Sequence, residues 1–292
     1  MTTSPADPGA PLGTSESAVT PRLVVGASVL GPAHIRLGLP NQDAIAWTPS
    51  SGGGDGLVVA VSDGHGAPEH FRSDAGSALA VAAALDKGKA FLLTDLAGEE
   101  ALRALAAAIV ATWQAGVEVD LARRPFSEAE LLALERAAGP EVRAEVQAEP
   151  VLAYGATLLV ALVEGDAATL LQLGDGDILS ITDEGADWAI PPDPRLFGGV
   201  TTSLCLPEAE QDFRFGEVLS GPGGGYLLLA TDGFRNAFAD EESFLMVGPD
   251  VWRCAAEGGL DAVAENLGPW LEEAASYSGD DVTAAVVSLL PT

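Results

Sequence analysis

Hydrophobic positions along the chain follow two patterns. Short, nearly unbroken apolar runs at Leu57-Val58-Val59-Ala60-Val61, Leu158-Leu159-Val160-Ala161-Leu162-Val163, Thr169 to Leu173, Tyr226 to Ala230 and Val282 to Val287 are each followed by Ser, Thr, Gly or Glu. Runs of this length closed by turn residues predict strands buried on both faces. Weaker runs at Leu23 to Val29, Ala44 to Trp47, Ile178 to Thr182 and near Phe213-Arg214-Phe215 add further strands. Longer Ala-rich stretches, 73–91, 95–114 and 261–276, predict helices, the first with Ser73 or Asp74 as its N-cap. The charged segment 126–147 is partly helical, broken at Gly139-Pro140, and reads as a surface elaboration.

Turn chemistry then joins these elements. SSGGGDG at 50–56 and Glu164-Gly165-Asp166 each close a predicted hairpin. Two stretches read as loops: 31–40, which carries His34 and Arg36, and 183–206, which is irregular with Pro191, Pro192, Pro194 and Gly198-Gly199. Residues 1–21, rich in Pro, Ser, Thr and Gly, read as a disordered tail ahead of one domain at 22–292. Strands, a helical block, more strands and a closing helix indicate an α+β arrangement, unlike a Rossmann alternation. No GxGxxG or P-loop sequence is present.

Aspartates recur at the strand ends. The runs ending at Val61, Leu173 and Ala230 lead into Ser62-Asp63-Gly64-His65, Gly174-Asp175-Gly176-Asp177 and Thr231-Asp232-Gly233. Two other strands are preceded by acid, at Asn41-Gln42-Asp43 and Gly279-Asp280-Asp281. In antiparallel sheets the start of one strand lies beside the end of the next, so these carboxylates can gather along one edge. Gathered carboxylates repel, and hard divalent cations with oxygen ligands relieve that repulsion. A single Asp-Gly is ordinarily a β-turn; the recurrence points to a metal site.

Charge narrows the partners. The 292 residues hold Lys+Arg 14 and Asp+Glu 43, a formal net charge of −29. That balance opposes binding to nucleic acid or an anionic membrane. Many of the acids are simply solvated surface. Cys205 and Cys254 form no CxxC or Cys/His cluster, so zinc sites and disulfides are not expected and a reducing compartment fits. Without a signal-peptide pattern or a membrane-length apolar run, the expected location is the cytoplasm.

Taken together, NQDA (41–44), VVAVSDGHG (58–66), YGATLL (154–159), LGDGD (173–177), LLLATDG (227–233) and GDDVTAAVV (279–287) resemble the metal-dependent type 2C protein phosphatases, in their bacterial form. The resemblance spans about residues 22–290. It implies a four-layer α/β/β/α sandwich of two antiparallel sheets with a binuclear Mg²⁺ or Mn²⁺ centre at one end. It also implies that Asp63 bridges the two ions, the Gly64 carbonyl adds an oxygen, and Asp232 and Asp280 are further ligands. Asp43 would support the centre, Asp175 would serve a third ion, and His65 would be the general acid. The implied activity is direct hydrolysis of phosphoserine and phosphothreonine in protein substrates by metal-activated water, with no phospho-enzyme.

Several positions depart from the family pattern. Gly38 stands where many members carry a phosphate-clamping Arg; Arg36 lies two residues earlier and is the candidate replacement. His34 is read either as orienting phosphate or a metal-bound water, or as capping its loop. Gln42 replaces a Glu, and Asn236 replaces an acid associated with the third ion. Asp281 is assigned to a turn or to support of Asp280, and Asp177 to the turn beside Asp175. Two alternatives compete with the phosphatase: a weak or inactive member serving as a regulatory module, and a phosphatase of small metabolites.

Overall fold

The computed structural model of the chain describes residues 23–49, 56–196 and 201–289. The expected tail, most of the 50–56 turn and Gly198-Gly199 lie outside them. In chain order the elements are β1 (Val24–Val29), α1 (Pro32–Leu37), β2 (Ala44–Thr48), β3 (Leu57–Ser62), α2 (Ser73–Phe91), α3 (Glu99–Arg123), α4 (Glu128–Ala138) and α5 (Pro140–Ala148). There follow β4 (Leu158–Glu164), β5 (Ala167–Leu173), β6 (Asp177–Thr182), β7 (Gly185–Trp188), β8 (Arg214–Leu219), β9 (Tyr226–Ala230), α6 (Asp232–Arg235), α7 (Glu241–Leu245), α8 (Val247–Ser278) and β10 (Val282–Ser288).

These strands form two five-stranded sheets, ordered β1-β10-β9-β6-β7 and β2-β3-β4-β5-β8. Every pairing is antiparallel. Strand alternation explains why the central runs are apolar throughout. On β3, Val58 and Ala60 face α2 and α3, whereas Leu57, Val59 and Val61 face the other sheet. On β9, Leu228 and Ala230 pack with α6 and α8 while Leu227 and Leu229 join the inter-sheet layer. Three apolar layers therefore hold four layers of structure, the α/β/β/α sandwich that the resemblance implied. Each fully buried Leu or Val in them is worth about 1.5–3 kcal/mol.

Local signals explain most element ends and expose some misjudged ones. Ser127 accepts from the Glu130 N–H and Glu130 reaches back to it, a capping box that starts α4. Gly139-Pro140 ends α4 and opens α5, so 126–147 is two helices. The expected loop at 31–40 contains α1, started by Pro32 and stopped at Gly38 with φ 67°. The irregular stretch 183–206 contains β7, paired with β6. Arg72, not Ser73 or Asp74, precedes the first turn of α2. The closing helix expected at 261–276 follows a break at Gly258-Gly259, where the backbone leaves helical geometry, and a helical segment that was not expected precedes that break within α8. α3 runs nine residues further than anticipated and is, by length and composition, apolar enough to cross a membrane. Its Leu102, Leu105, Ile109 and Trp113 are buried, and Trp113 Nε1 donates to the Gly76 carbonyl of α2 at 3.0 Å.

Candidate metal centre

Register brings the acidic strand ends together. Ala44 pairs with Ser62, so Asp43 and Asp63 leave the same end of one sheet. Ala230 pairs with both Ala284 and Asp177, so Asp232, Asp280 and the Asp175 turn leave the corresponding end of the other. A polar chain stitches the two ends: Thr231 Oγ1 donates to Asp43 Oδ2 at 2.9 Å, Thr283 N donates to Thr231 Oγ1 at 3.0 Å, and Asn41 Nδ2 donates to Ser28 Oγ at 2.8 Å. Thr157 fixes Asp63 on both sides of its backbone, its Oγ1 accepting from Asp63 N at 3.0 Å and its N–H donating to Asp63 O at 2.8 Å. The backbone closes so tightly at Gly64 that a Cβ there would lie 2.5 Å from the Gln42 carbonyl and 2.7 Å from that of Ser73.

Above this edge opens a cleft of about 460 Å³, lined among others by Asp63, His65, His70, Asp175, Asp232 and Asp280. The carboxylates are electrostatically unsatisfied. Burial pushes Asp43 up to about 8, with the charges of Asp281 and Asp280 adding to it against hydrogen bonds from Thr283 and Thr231. Asp63 is raised well above the carboxylate range by burial, then by Asp43 and Asp232, with whose carboxyl it shares a hydrogen bond. Asp175 and Asp280 are raised by burial and next by Asp232. No Lys or Arg is among the described residues that line the cleft.

Among the described residues, no three His, Cys, Asp or Glu side chains already converge on one point at ligand distance. The donor set nevertheless fits a hard cation, since it is all oxygen, crowded and without an opposing side-chain charge. The matching binuclear divalent centre would draw on Asp63, the Gly64 carbonyl, Asp232 and Asp280.

Two histidines share the cleft. His65 and His70 stack edge to face with centroids 4.9 Å apart, and His70 Nδ1 lies 2.5 Å from the Leu152 carbonyl. His65 Nε2 is enclosed without a partner among the described residues. Burial, and next the neighbouring His70, lowers His65 to about 4, so its imidazole is neutral at pH 7. Only a glycine fits beside the pair: a Cβ on Gly155 would lie 2.5 Å from His70 Nδ1 and 2.7 Å from His65 Cδ2.

Neither of the two substrate-binding candidates is among the residues that line the cleft. Arg36 is exposed on α1 and does not line the cleft. His34 is buried, with Nδ1 2.8 Å from Asp281 Oδ2. That contact braces the α1 segment against β10. Asp281 is 3% exposed and also accepts from Gly31 N and Gln42 N, each at 2.7 Å. Asp281 is thus a buried anchor between α1, the Asp43 segment and β10. Asp177 is no turn residue either: it opens β6, is 3% exposed and pairs with Arg235 at 3.1 Å.

A family model described as Protein phosphatase 2C matches residues 30–272. The chain belongs to that family. Membership makes it a Mg²⁺- or Mn²⁺-dependent protein serine/threonine phosphatase with phosphoprotein substrates. A search of curated proteins finds no match. Solved structures agree on the fold. PppA of Pseudomonas aeruginosa is 20% identical with a TM-score of 0.53, over 92% of this chain and 98% of that one. A bacterial serine phosphatase is 14% identical with a TM-score of 0.56, over 92% and 98%. The Mycobacterium tuberculosis serine/threonine phosphatase PstP/Ppp is 18% identical with a TM-score of 0.53, over 91% and 98%.

Proposed function

We propose that the Asp63 cleft is the phosphatase active site, with Asp63, the Gly64 carbonyl, Asp232 and Asp280 holding two divalent ions. The observation that carries this assignment is that Asp63, Asp232 and Asp280, delivered by two different sheets, line one cleft, where burial and then the charge of Asp232 push Asp280 up and burial with the neighbouring carboxylates pushes Asp63 up. Bound divalent ions supply an acidified water and neutralise the charge that builds on the phosphoryl oxygens. Asp43, held by Thr231, fixes the floor beneath Asp63. His65 lines the same cleft as the candidate general acid for the departing serine or threonine alkoxide; it is neutral at pH 7 in the free site, and the negative charge of a bound phosphoryl group favours the imidazolium that can give up a proton. His70 keeps that ring in place from its anchor on Leu152.

The protein acts in the cytoplasm, in signalling, on phosphoprotein segments rich in basic residues. A net charge of −29 supports this choice, because it repels anionic metabolites, nucleic acid and membrane surfaces at long range. A purely regulatory module is disfavoured, since it has no need of Asp43, Asp63, His65, Asp232 and Asp280 together. The deciding assay is hydrolysis of p-nitrophenyl phosphate and a phosphothreonine peptide with Mn²⁺, with EDTA and after Asp63→Asn. Turnover that survives EDTA and the substitution would refute the assignment. Equal rates on peptides with and without basic flanking residues would refute the substrate preference.

A further inference from the structure

Asp175 has two surroundings. One side of it borders the cleft; the other borders a second cavity of about 400 Å³, lined in part by Gln172, Asp177, Arg214, Arg235 and Glu241. Arg235 crosses this second space. Its Nη1 donates to Asp177 Oδ1 at 3.1 Å and its Nη2 to the Asp175 carbonyl at 3.3 Å. Four carboxylates act on one another here: Asp175 with Asp232, and Asp177 with Asp232, Asp175 and Glu241. Arg235 is the cation that both Asp175 and Asp177 feel. Arg214 also feels Asp177, although Asp193 is its stronger partner.

The carboxylates flanking a third ion are already occupied. Asn236 Nδ2 donates to Asp232 Oδ2 at 2.9 Å, and Asp175 accepts a hydrogen bond from Thr201. A divalent ion beside Asp175 would thus compete with these donors and be repelled by the guanidinium held against that residue's backbone. The residues here do not fit a third ion. We propose that Arg235 is a resident counter-cation that takes the place of a third divalent ion, so that the centre loads two ions and Asp175 serves as a strut. The buried Asp177, whose Oδ2 has no partner among the described residues, anchors that cation.

This inference rests on the assignment of the cleft as the metal centre, and its test separates the two. Mn²⁺ uptake by the full chain is measured by titration calorimetry and by metal analysis after equilibrium dialysis. The expected result is two ions per chain for the wild type and for Arg235→Lys, and a third ion, at least about tenfold weaker, for Arg235→Met. Arg235→Gln, which keeps a donor toward Asp177 without the charge, replaces the Met variant should that one not fold. Three ions on the wild type, or two on both uncharged variants, overturn the proposal. No uptake by the wild type, or uptake unchanged by Asp63→Asn, overturns the metal-centre assignment and the proposal together.

Discussion

Asp281 and Asp280 are neighbours with opposite expected behaviour, and exchanging either for Asn separates structure from chemistry. Asp281 accepts three hydrogen bonds in a buried site, from Gly31 N at 2.7 Å, Gln42 N at 2.7 Å and His34 Nδ1 at 2.8 Å. In Asp281→Asn one of the two oxygens becomes an NH₂ that meets a donor head on. A hydrogen bond to a charged group is worth about 1.5–3 kcal/mol, and a buried donor left unpaired costs about 1–3 kcal/mol. The expected loss is roughly 2–4 kcal/mol, which lowers Tm by roughly 4–12 °C in a domain of this size. Asp280 sits at the open rim of the cleft, solvent-accessible as a residue though its carboxyl is partly desolvated by the cleft, and its Oδ1 accepts from Asp281 N at 2.9 Å. Asp280→Asn removes a repelling charge, so the metal-free protein should melt at or above the wild-type temperature while losing most of the Tm rise produced by Mn²⁺. Calorimetric melts of both variants in EDTA and in Mn²⁺ decide the matter. A metal-free Tm for Asp281→Asn within about 1 °C of wild type, or a larger drop for Asp280→Asn, would sink the reasoning.

Other consequences follow from the same geometry. Gly155→Ala places a methyl against both cleft histidines and should lower kcat on a phosphothreonine peptide by roughly 10²-fold with unchanged far-ultraviolet circular dichroism; near-normal turnover would show that the rings tolerate displacement. Burial works against the ionised form of Glu130, yet bonds from Arg72 and Ser127 hold its carboxyl at about 2, below the usual 4.5. A lowered carboxylate contributes stability above pH 4.5 that is lost as pH falls toward about 2. Glu130→Gln should therefore flatten the urea midpoint across that interval; an unchanged acid slope would contradict the ion pair. Asp43, raised to about 8, holds a proton near neutrality that metal loading must displace, and burial shifts Asp63 in the same direction. Mn²⁺ affinity should consequently strengthen as pH rises toward about 8, with calorimetric heats that depend on the buffer's ionisation enthalpy; pH-independent affinity would argue against crowded carboxylates.

Strand positions were legible because burial on both faces makes a strand apolar along its length, as at 57–61 and 226–230. The aspartates at strand ends were legible too, since antiparallel register sends Asp43 and Asp63 to one end. What could not be read was direction in space. Residue pattern alone does not distinguish Asp280, which lines the cleft, from Asp281, which turns inward to three donors; only the family resemblance separated them. The buried partner of His34 was hidden for the same reason, since it lies 247 residues away. Asp177 carried a turn signature from Gly174 and Gly176, and only the long-range pair with Arg235 reveals a buried strand residue. His70 offered no motif at all, and its role comes from Leu152 and from the ring of His65.

The distribution of positive charge explains why the cleft depends on what it binds. Lys and Arg number 14 against 43 acids, and the buried Arg72 and the half-buried Arg235 and Arg143 are committed to structure. Arg72 is 7% exposed; it bonds Glu130 at 2.9 Å, the Arg124 carbonyl at 2.6 Å and Tyr154 Oη at 2.8 Å, and lies over Phe126. It thereby ties the start of α2, just past the His70 turn, to α3, α4 and the segment before β4. Arg235 is committed to Asp177 and the Asp175 carbonyl, and Arg143 to Glu128 and Glu135. These cations brace the frame around the cleft and leave its lining acidic, so Asp63, Asp232 and Asp280 repel until divalent cations arrive. The repulsion that makes the metal-free site unfavourable is also what gives those ions their binding energy, so one set of carboxylates couples stability, metal affinity and catalysis.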